Sequence, residues 1–374
     1  MPGRIVLLGA TGYTGRLTAE ALVARGARPV LAGRSAQRLD PLAQRLGGLE
    51  TATADVTDAA SVRGLVEAGD VLVTTVGPFG ELGEPAVRAA VDAGACYLDS
   101  TGEPPFIRRV FTEFGPAAQR SGAALFTAFG YDYVPGNLAG ALALRAAGEA
   151  ATAVRVGYFV TGRGRAGFSR GTAVSMAGTL GQRGFAFRGG AVRDDAAGSR
   201  LGGFEVGGRH RDGISVGGSE HFTLPRLHPG LTEVDVFLGW FGSRSRLVHR
   251  MSRLSAPVMR IPPVAAAVRA AARAAAGRSR DPQPGDNDAV RTSVVAVATD
   301  AGGRVLAFVE LDGPEPYGLT GDLLAWGATA AAGGAVDSTG ALGPADGFGL
   351  DALESACAGI GLRRVATGRE AAGG

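Results

Sequence analysis

The run from Arg4 to Gly15, Arg-Ile-Val-Leu-Leu-Gly-Ala-Thr-Gly-Tyr-Thr-Gly, constrains the fold more than any other stretch, because it reads as strand, glycine turn and helix in direct succession. Ile5 to Leu8 is wholly apolar, the pattern of a strand buried on both faces, and helical spacing with small residues at its start runs from Thr14 to Arg25. In that context each glycine has its own task. Gly9 permits the tight turn, Gly12 lets backbone approach a pyrophosphate, and Gly15 allows the helix to pack closely on the strand. The helix N-terminus then points its free N–H groups at the anion, with Thr11, Tyr13 and Thr14 completing the contact turn. A glycine triad alone is a weak signal; between a strand and a helix it marks a dinucleotide site.

The end of the next strand separates the two nicotinamide cofactors. A site for NAD places Asp or Glu there to bond the ribose 2′-OH, whereas Arg accommodates the 2′-phosphate of NADP. The chain has Val30-Leu-Ala-Gly-Arg-Ser35 and no acid until Asp40. Arg34 can form a bidentate, charge-assisted pair with phosphate, and Ser35 adds a hydroxyl donor or caps the next helix. A solvated arginine is the plainer alternative, but its register at the strand end points to NADP(H).

Strand-like and helical patterns alternate through the first third of the 374 residues. Strands are predicted at Ile5 to Leu8, Pro29 to Gly33, Glu50 to Val56, Asp70 to Val76, Cys96 to Asp99 and Ala124 to Phe129. Helices are predicted at Ser61 to Glu67, Glu84 to Ala93 and Pro105 to Arg120. This alternation predicts an α/β fold with a Rossmann-type doubly wound parallel sheet. From Val154 onward, longer runs of period-two character (Val154 to Thr161, Thr232 to Trp240, Val290 to Ala298, Val305 to Leu311) predict a second, mixed α+β domain. The boundaries follow as a Rossmann domain over 1–135, completed by 336–374, and a substrate domain over 136–335. Gly277 to Asp288 is the predicted internal loop.

The basic residues are all arginine; the sequence contains no lysine. This excludes a Schiff base, a PLP anchor and the Tyr-x-x-x-Lys dyad of short-chain dehydrogenases. The two cysteines, Cys96 and Cys357, lie far apart and form no ligand pattern, so neither a disulfide framework nor a metal site is expected. The first apolar run is too short for a signal peptide and no apolar run reaches spanning length, so a cytoplasmic location is expected.

Four places could carry chemistry. Val76-Gly-Pro-Phe79 follows the fourth strand, where a bound dinucleotide extends toward its nicotinamide; it reads either as a turn beneath the cofactor, with Phe79 against the ring, or as a plain Gly-Pro loop. Asp99-Ser-Thr-Gly-Glu103 follows the fifth strand, and its carboxylates fit acid/base work or helix capping equally. Gly102 in that turn and Asp55 near the end of the third strand join the candidate cofactor contacts. After the sixth strand, Tyr131 and Tyr133 supply phenols and Asp132 a carboxylate, any of which can deliver a proton, although buried structural tyrosines are commoner. Among four scattered histidines, His221 in an expected strand is the one suited to proton transfer.

Nine arginines and no acid lie between Arg244 and Arg280, so that with a whole-chain charge of +3 the remainder carries −6. A solvated face explains this, as does docking to an acidic carrier protein or an anionic membrane surface. Nucleic acid is disfavoured because no aromatics interleave for stacking.

Taken together, Gly9-Ala-Thr-Gly-Tyr-Thr-Gly15, Leu31-Ala-Gly-Arg-Ser35, Val76-Gly-Pro-Phe79 with Gly83-Glu-Pro85, Tyr97-Leu-Asp-Ser-Thr-Gly-Glu103 and Gly130-Tyr-Asp-Tyr-Val-Pro135 resemble the saccharopine dehydrogenase-like oxidoreductases, nearest the trans-acting enoyl reductase branch. The resemblance covers residues 1–140 and continues more loosely through Arg170-Gly-Thr172 and Tyr317-Gly-Leu-Thr320. It implies NADP(H), a Rossmann domain with a mixed second domain, and reduction of an activated C=C bond of an acyl-thioester or polyketide or lipid intermediate. Reduction of an imine and a non-catalytic NADPH-binding sensor are the rival expectations, and a homodimer is compatible with either. Relatives carry Phe at the position of Tyr131 and Ser and Asp at those of Tyr133 and Asn137, so roles there do not transfer directly. The absence of lysine argues against saccharopine dehydrogenation itself.

Overall fold

The computed structural model describes residues 3–162, 168–179, 182–240, 242, 245–255, 261–283 and 289–368. Two compact units result, the first formed by Met1–Val134 with Pro316–Gly349 and the second by Pro135–Glu315 with Leu350–Gly374. Arg244 and Arg260 of the basic stretch, and residues 284–288 of the predicted loop, lie outside the described residues.

In the first unit, strands β1 (Ile5–Leu8), β2 (Val30–Gly33), β3 (Thr51–Thr53), β4 (Val71–Thr74), β5 (Cys96–Asp99) and β6 (Ala124–Phe126) join the short strand Gly340–Ala341 in a seven-stranded sheet. Every pairing is parallel, and the order runs Gly340–Ala341, β6, β5, β4, β1, β2, β3. The chain reverses direction across β1 and β4, and it is outside the carboxyl ends of such strands that open parallel sheets bind ligands. β1, β2 and β4 are buried along their whole length, as their unbroken apolar runs require. The expected strand over 50–56 contracts to Thr51–Thr53 because it is the half-exposed edge of the sheet. The expected helix over 105–120 divides into Pro104–Arg109, a π-helical turn Val110–Phe114 and Gly115–Ser121. Pro116 cannot donate the regular i→i−4 bond there, and the backbone widens just before it.

The second unit holds a nine-stranded mixed sheet. Its strands are β7 (Ala153–Gly162), β8 (Arg183–Arg188), β9 (Ala191–Ala196), β10 (Leu201–Val206), β11 (Arg209–Ser215), β12 (Glu233–Leu238), β13 (Val290–Thr299), β14 (Val305–Gly313) and a last strand Arg363–Gly368. β12 pairs parallel with β7 and the other pairings are antiparallel. Phe159, Phe204, Val206, Phe237 and Val295 form a buried cluster on it.

Two domain boundaries need correction. Helix Pro316–Ala332, placed by the pattern in the substrate domain, belongs to the first unit. Its Gly321 lies so close to the first helix, Tyr13–Ala24, that a Cβ would sit 3.0 Å from the Leu17 carbonyl carbon. Residues 350–374, expected to complete the Rossmann domain, belong to the second unit, because Arg363–Gly368 extends the mixed sheet by pairing with β14. His221 is also displaced: the chain leaves β11, turns through Gly217 and Gly218, and places His221 in the helix Glu220–Leu227 instead of a strand.

Candidate active site

Gly9 has φ +90°, and a Cβ there would lie 2.7 Å from Val76 Cγ2, so both backbone and space demand glycine. Gly15 is demanded by packing, since its Cβ would fall 2.2 Å from the Gly9 carbonyl oxygen. Gly12 is different. Its φ of −73° and ψ of 170° suit any residue, and a Cβ would touch only the Gly9 oxygen at 3.3 Å. The protein's own conformation therefore has little need of glycine at 12, and the space a side chain would fill is left open. Beside that space begins the first helix, with no side-chain cap and no acid in its first turn, which leaves its terminal N–H groups for an anion. This cradle fits a dinucleotide pyrophosphate.

Arg34 is exposed at the end of β2, and Ser35, at the N-cap of helix Ala36–Arg45, makes no side-chain capping bond. Asp55 accepts hydrogen bonds from Thr57 N (2.9 Å) and Thr57 Oγ1 (2.8 Å). Those bonds, with a smaller contribution from the charge of Arg34, hold its carboxyl below the usual range. Asp55 thus shapes the turn next to Arg34. Sequence reasoning missed Arg38, whose Nη2 donates to the Thr11 carbonyl at 3.3 Å and ties the second helix to the glycine turn. Arg34→Ala is expected to lower the preference for NADPH over NADH by roughly ten- to a hundredfold, the worth of a charge-assisted contact; titrating both cofactors against both proteins checks it, and equal affinities in the unmodified chain would refute the assignment.

After β4 the Gly77–Pro78 peptide is cis. The Phe79 ring is buried against Phe106, at 5.6 Å between centroids, and so packs into the first unit instead of lying open for a nicotinamide. Glu103 accepts the N–H groups of Phe79 (2.7 Å) and Gly80 (2.9 Å). Its carboxylate caps the short helix Phe79–Leu82, and capping is the role the structure gives it.

After β5 and β6 two carboxyls stand in contrast, Asp99 fully buried and Asp132 half-buried. Asp99 Oδ1 accepts from Thr101 N (2.9 Å) and Ala128 N (2.8 Å), and burial, opposed by these bonds, pushes the group up to about 6. Asp99 thereby clamps the β5 turn to Ala128, which is held at φ +59°. The turn is closed by Tyr133 N to the Ala128 carbonyl (2.7 Å) and by Tyr131 N to Thr320 Oγ1 (3.0 Å). Within it the Asp132–Tyr133 peptide is cis, and both tyrosine rings are buried. Asp132 Oδ1 is buried without a hydrogen-bond partner among the described residues, and burial pushes its carboxyl up to about 7. Gly102 makes room for it, since a Cβ there would lie 2.9 Å from Asp132 Oδ2. Gly102 therefore has a close-approach role of its own.

The adjacent strands β4, β5 and β6 thus bring Val76–Phe79, Gly102 and Asp132 to one edge of the sheet. His221 belongs to the second unit, where its Nδ1 lies 3.1 Å from Gly218 N and 3.0 Å from Gly218 O; burial pushes it down to about 4, so it is neutral at pH 7. Burial pushes Cys96 and Cys357 up to about 12, which keeps both thiols protonated. Among the described residues no group of three or more His, Cys, Asp or Glu side chains could hold a metal ion, and no helix is long and apolar enough to cross a membrane.

A family model described as NAD(P)H-binding matches residues 9–96. Over 181 residues, 46% of this chain, the sequence is 40% identical to a Mycobacterium tuberculosis protein whose name assigns it provisionally to the trans-acting enoyl reductases, covering 43% of that protein. It is 39% identical over 140 residues, 36% of this chain, to a trans-acting enoyl reductase of Mycobacterium ulcerans, covering 34% of that protein. The match thus spans less than half the length of these curated relatives. In structure, the chain is similar to an apo saccharopine dehydrogenase (L-Glu forming) of Saccharomyces cerevisiae with a TM-score of 0.59 and 14% identity, covering 98% of this chain and 100% of that one. That likeness shows the fold.

Proposed function

We propose that this chain, similar to trans-acting enoyl reductases in sequence and to a saccharopine dehydrogenase in fold, is an NADPH-dependent reductase of an activated C=C bond in an acyl thioester or polyketide-like intermediate. The observation that carries the reading is Asp132, a half-buried residue whose Oδ1 is buried without a hydrogen-bond partner among the described residues, held over Gly102 at the carboxyl edge of the dinucleotide-binding sheet. A protein that only sensed NADPH would have no use for an ionisable group with a buried, unpaired oxygen there, whereas a reductase must deliver a proton.

The cofactor, when bound, would supply a hydride to the β carbon and leave oxidised. Gly12 and the N–H groups of the first helix hold its pyrophosphate, and Arg34 with Ser35 holds the 2′-phosphate. The C=C π bond is consumed as two C–H bonds form: the substrate's enolate takes its α proton from Asp132, whose carboxyl becomes carboxylate and recovers a proton from water. Glu103 and Asp99 do not move protons; they fix the two turns between which this happens. Tyr131 and Tyr133 pack beside the donor. The substrate is free or bound to a carrier protein, and the location is cytosolic.

NADPH oxidation against a panel of enoyl thioesters and imines tests the proposal. Turnover of enoyl thioesters is the expected result. Turnover of imines alone would move the reaction to C=N reduction, and tight NADPH binding with turnover of neither would make the protein a sensor.

A further inference from the structure

Four of the large hydrophobic side chains that the fold leaves exposed fall within one short span: Leu247 (59% exposed), Met251 (57%), Ile261 (50%) and Val268 (41%). The same span, from Ser245 to Arg280, contains eight arginines and no Asp or Glu. In helix Ser245–Ser255, Ser245 is buried, Val248 and His249 are half-buried, and His249 Nδ1 meets the Gly198 carbonyl oxygen at 2.7 Å, which fixes the inner face. Leu247 and Met251 then form an i,i+4 apolar stripe on the outer face, directly beside the i,i+4 basic stripe Arg246 and Arg250. Ile261 precedes helix Pro262–Ala276, Val268 lies within it, and exposed Arg278 and Arg280 follow it.

We propose that these helices dock the second unit on an anionic lipid surface. An exposed apolar stripe flanked by arginines, in a span that itself holds no Asp or Glu, matches an interfacial helix: the apolar side chains enter the headgroup boundary and the guanidinium groups stay with the phosphates. A protein partner fits less well, because the span holds no Phe, Tyr or Trp to serve as an anchoring ring and no Asn or Gln to make directional polar contacts. Arg246 is partly neutralised by Asp212 at 2.7 Å, so Arg250, Arg278 and Arg280 carry the attraction.

Flotation of the full chain with vesicles tests this without reference to its reaction. Binding is expected to vesicles containing phosphatidylglycerol and not to pure phosphatidylcholine, and to weaken as salt rises. Replacing Arg250, Arg278 and Arg280 by Gln should weaken binding about fivefold per arginine. Leu247→Ser with Met251→Ser should weaken it as well, and unchanged thermal melting would show both variants folded. Equal binding to neutral vesicles, no binding to anionic ones at low salt, or variants that bind as before would overturn the proposal. So would capture by an acidic carrier protein, abolished by the same substitutions, in the absence of vesicle binding.

Discussion

Asp132→Asn is expected to lower kcat by about 10²- to 10⁴-fold while leaving NADPH affinity near its original value, the range for loss of a positioned general acid. Asparagine keeps the shape and removes the transferable proton. The pH profile gives the sharper signature. With the carboxyl pushed up to about 7, the acid form dominates below that pH, so kcat of the unmodified enzyme should fall as pH rises through about 7, and the variant should lose that limb. Stability follows the same sign. The folded protein holds this proton more tightly than the unfolded chain, so the stabilising contribution is complete below the usual carboxylate range and disappears as pH rises through about 7. The Asn variant should therefore gain in Tm relative to the parent above neutrality. Tyr131→Phe is the control: a large fall in kcat there, with Asp132→Asn active, would transfer the proton to the phenol.

Gly12→Val is expected to weaken NADPH binding by at least about a hundredfold, since filling the cradle displaces two or more charge-assisted bonds from helix N–H groups to phosphate. The backbone at 12 is ordinary and a Cβ there meets only the Gly9 oxygen at 3.3 Å, so the variant should stay folded. Gly15→Ala should behave in the opposite way. Its Cβ would lie 2.2 Å from the Gly9 oxygen, and forcing it in costs about 1 to 3 kcal/mol of stability. Calorimetric titration beside thermal melting separates the two effects. Gly12→Val that still binds NADPH tightly would mean the cradle holds something else.

Much of the first unit was legible because parallel strands buried on both faces must be apolar without a break, as Ile5–Leu8 is, and because helical spacing marks the helix Glu84–Ala93 at its predicted bounds. The position of Pro316–Ala332 was not. That helix is apolar nearly all round, with Leu319, Leu323, Leu324 and Ala328 buried, so its periodicity says that it is enclosed without saying by what. His221 was misplaced because the helix Glu220–Leu227 is short and contains Pro225, leaving little helical signal. At the site, the glycine turn and Arg34 could be read locally. The contact between Asp132 and Gly102 could not, because it depends on a left-handed turn at Ala128 that Asp99 holds from a neighbouring strand. Arg38 escaped for a similar reason: its partner, Thr11, is 27 residues away.

The chain enters the first unit, leaves it after Val134 and returns only at Pro316. During vectorial synthesis six of the seven strands of the nucleotide-binding sheet therefore leave the ribosome long before the helix that covers the first helix around Leu17 and Thr18 exists. At about 5 to 20 residues per second, translating the intervening segment takes roughly ten to forty seconds. Throughout that interval a nascent chain displays an apolar helix face with no intramolecular cover, and it is there that a holding chaperone would find its handle.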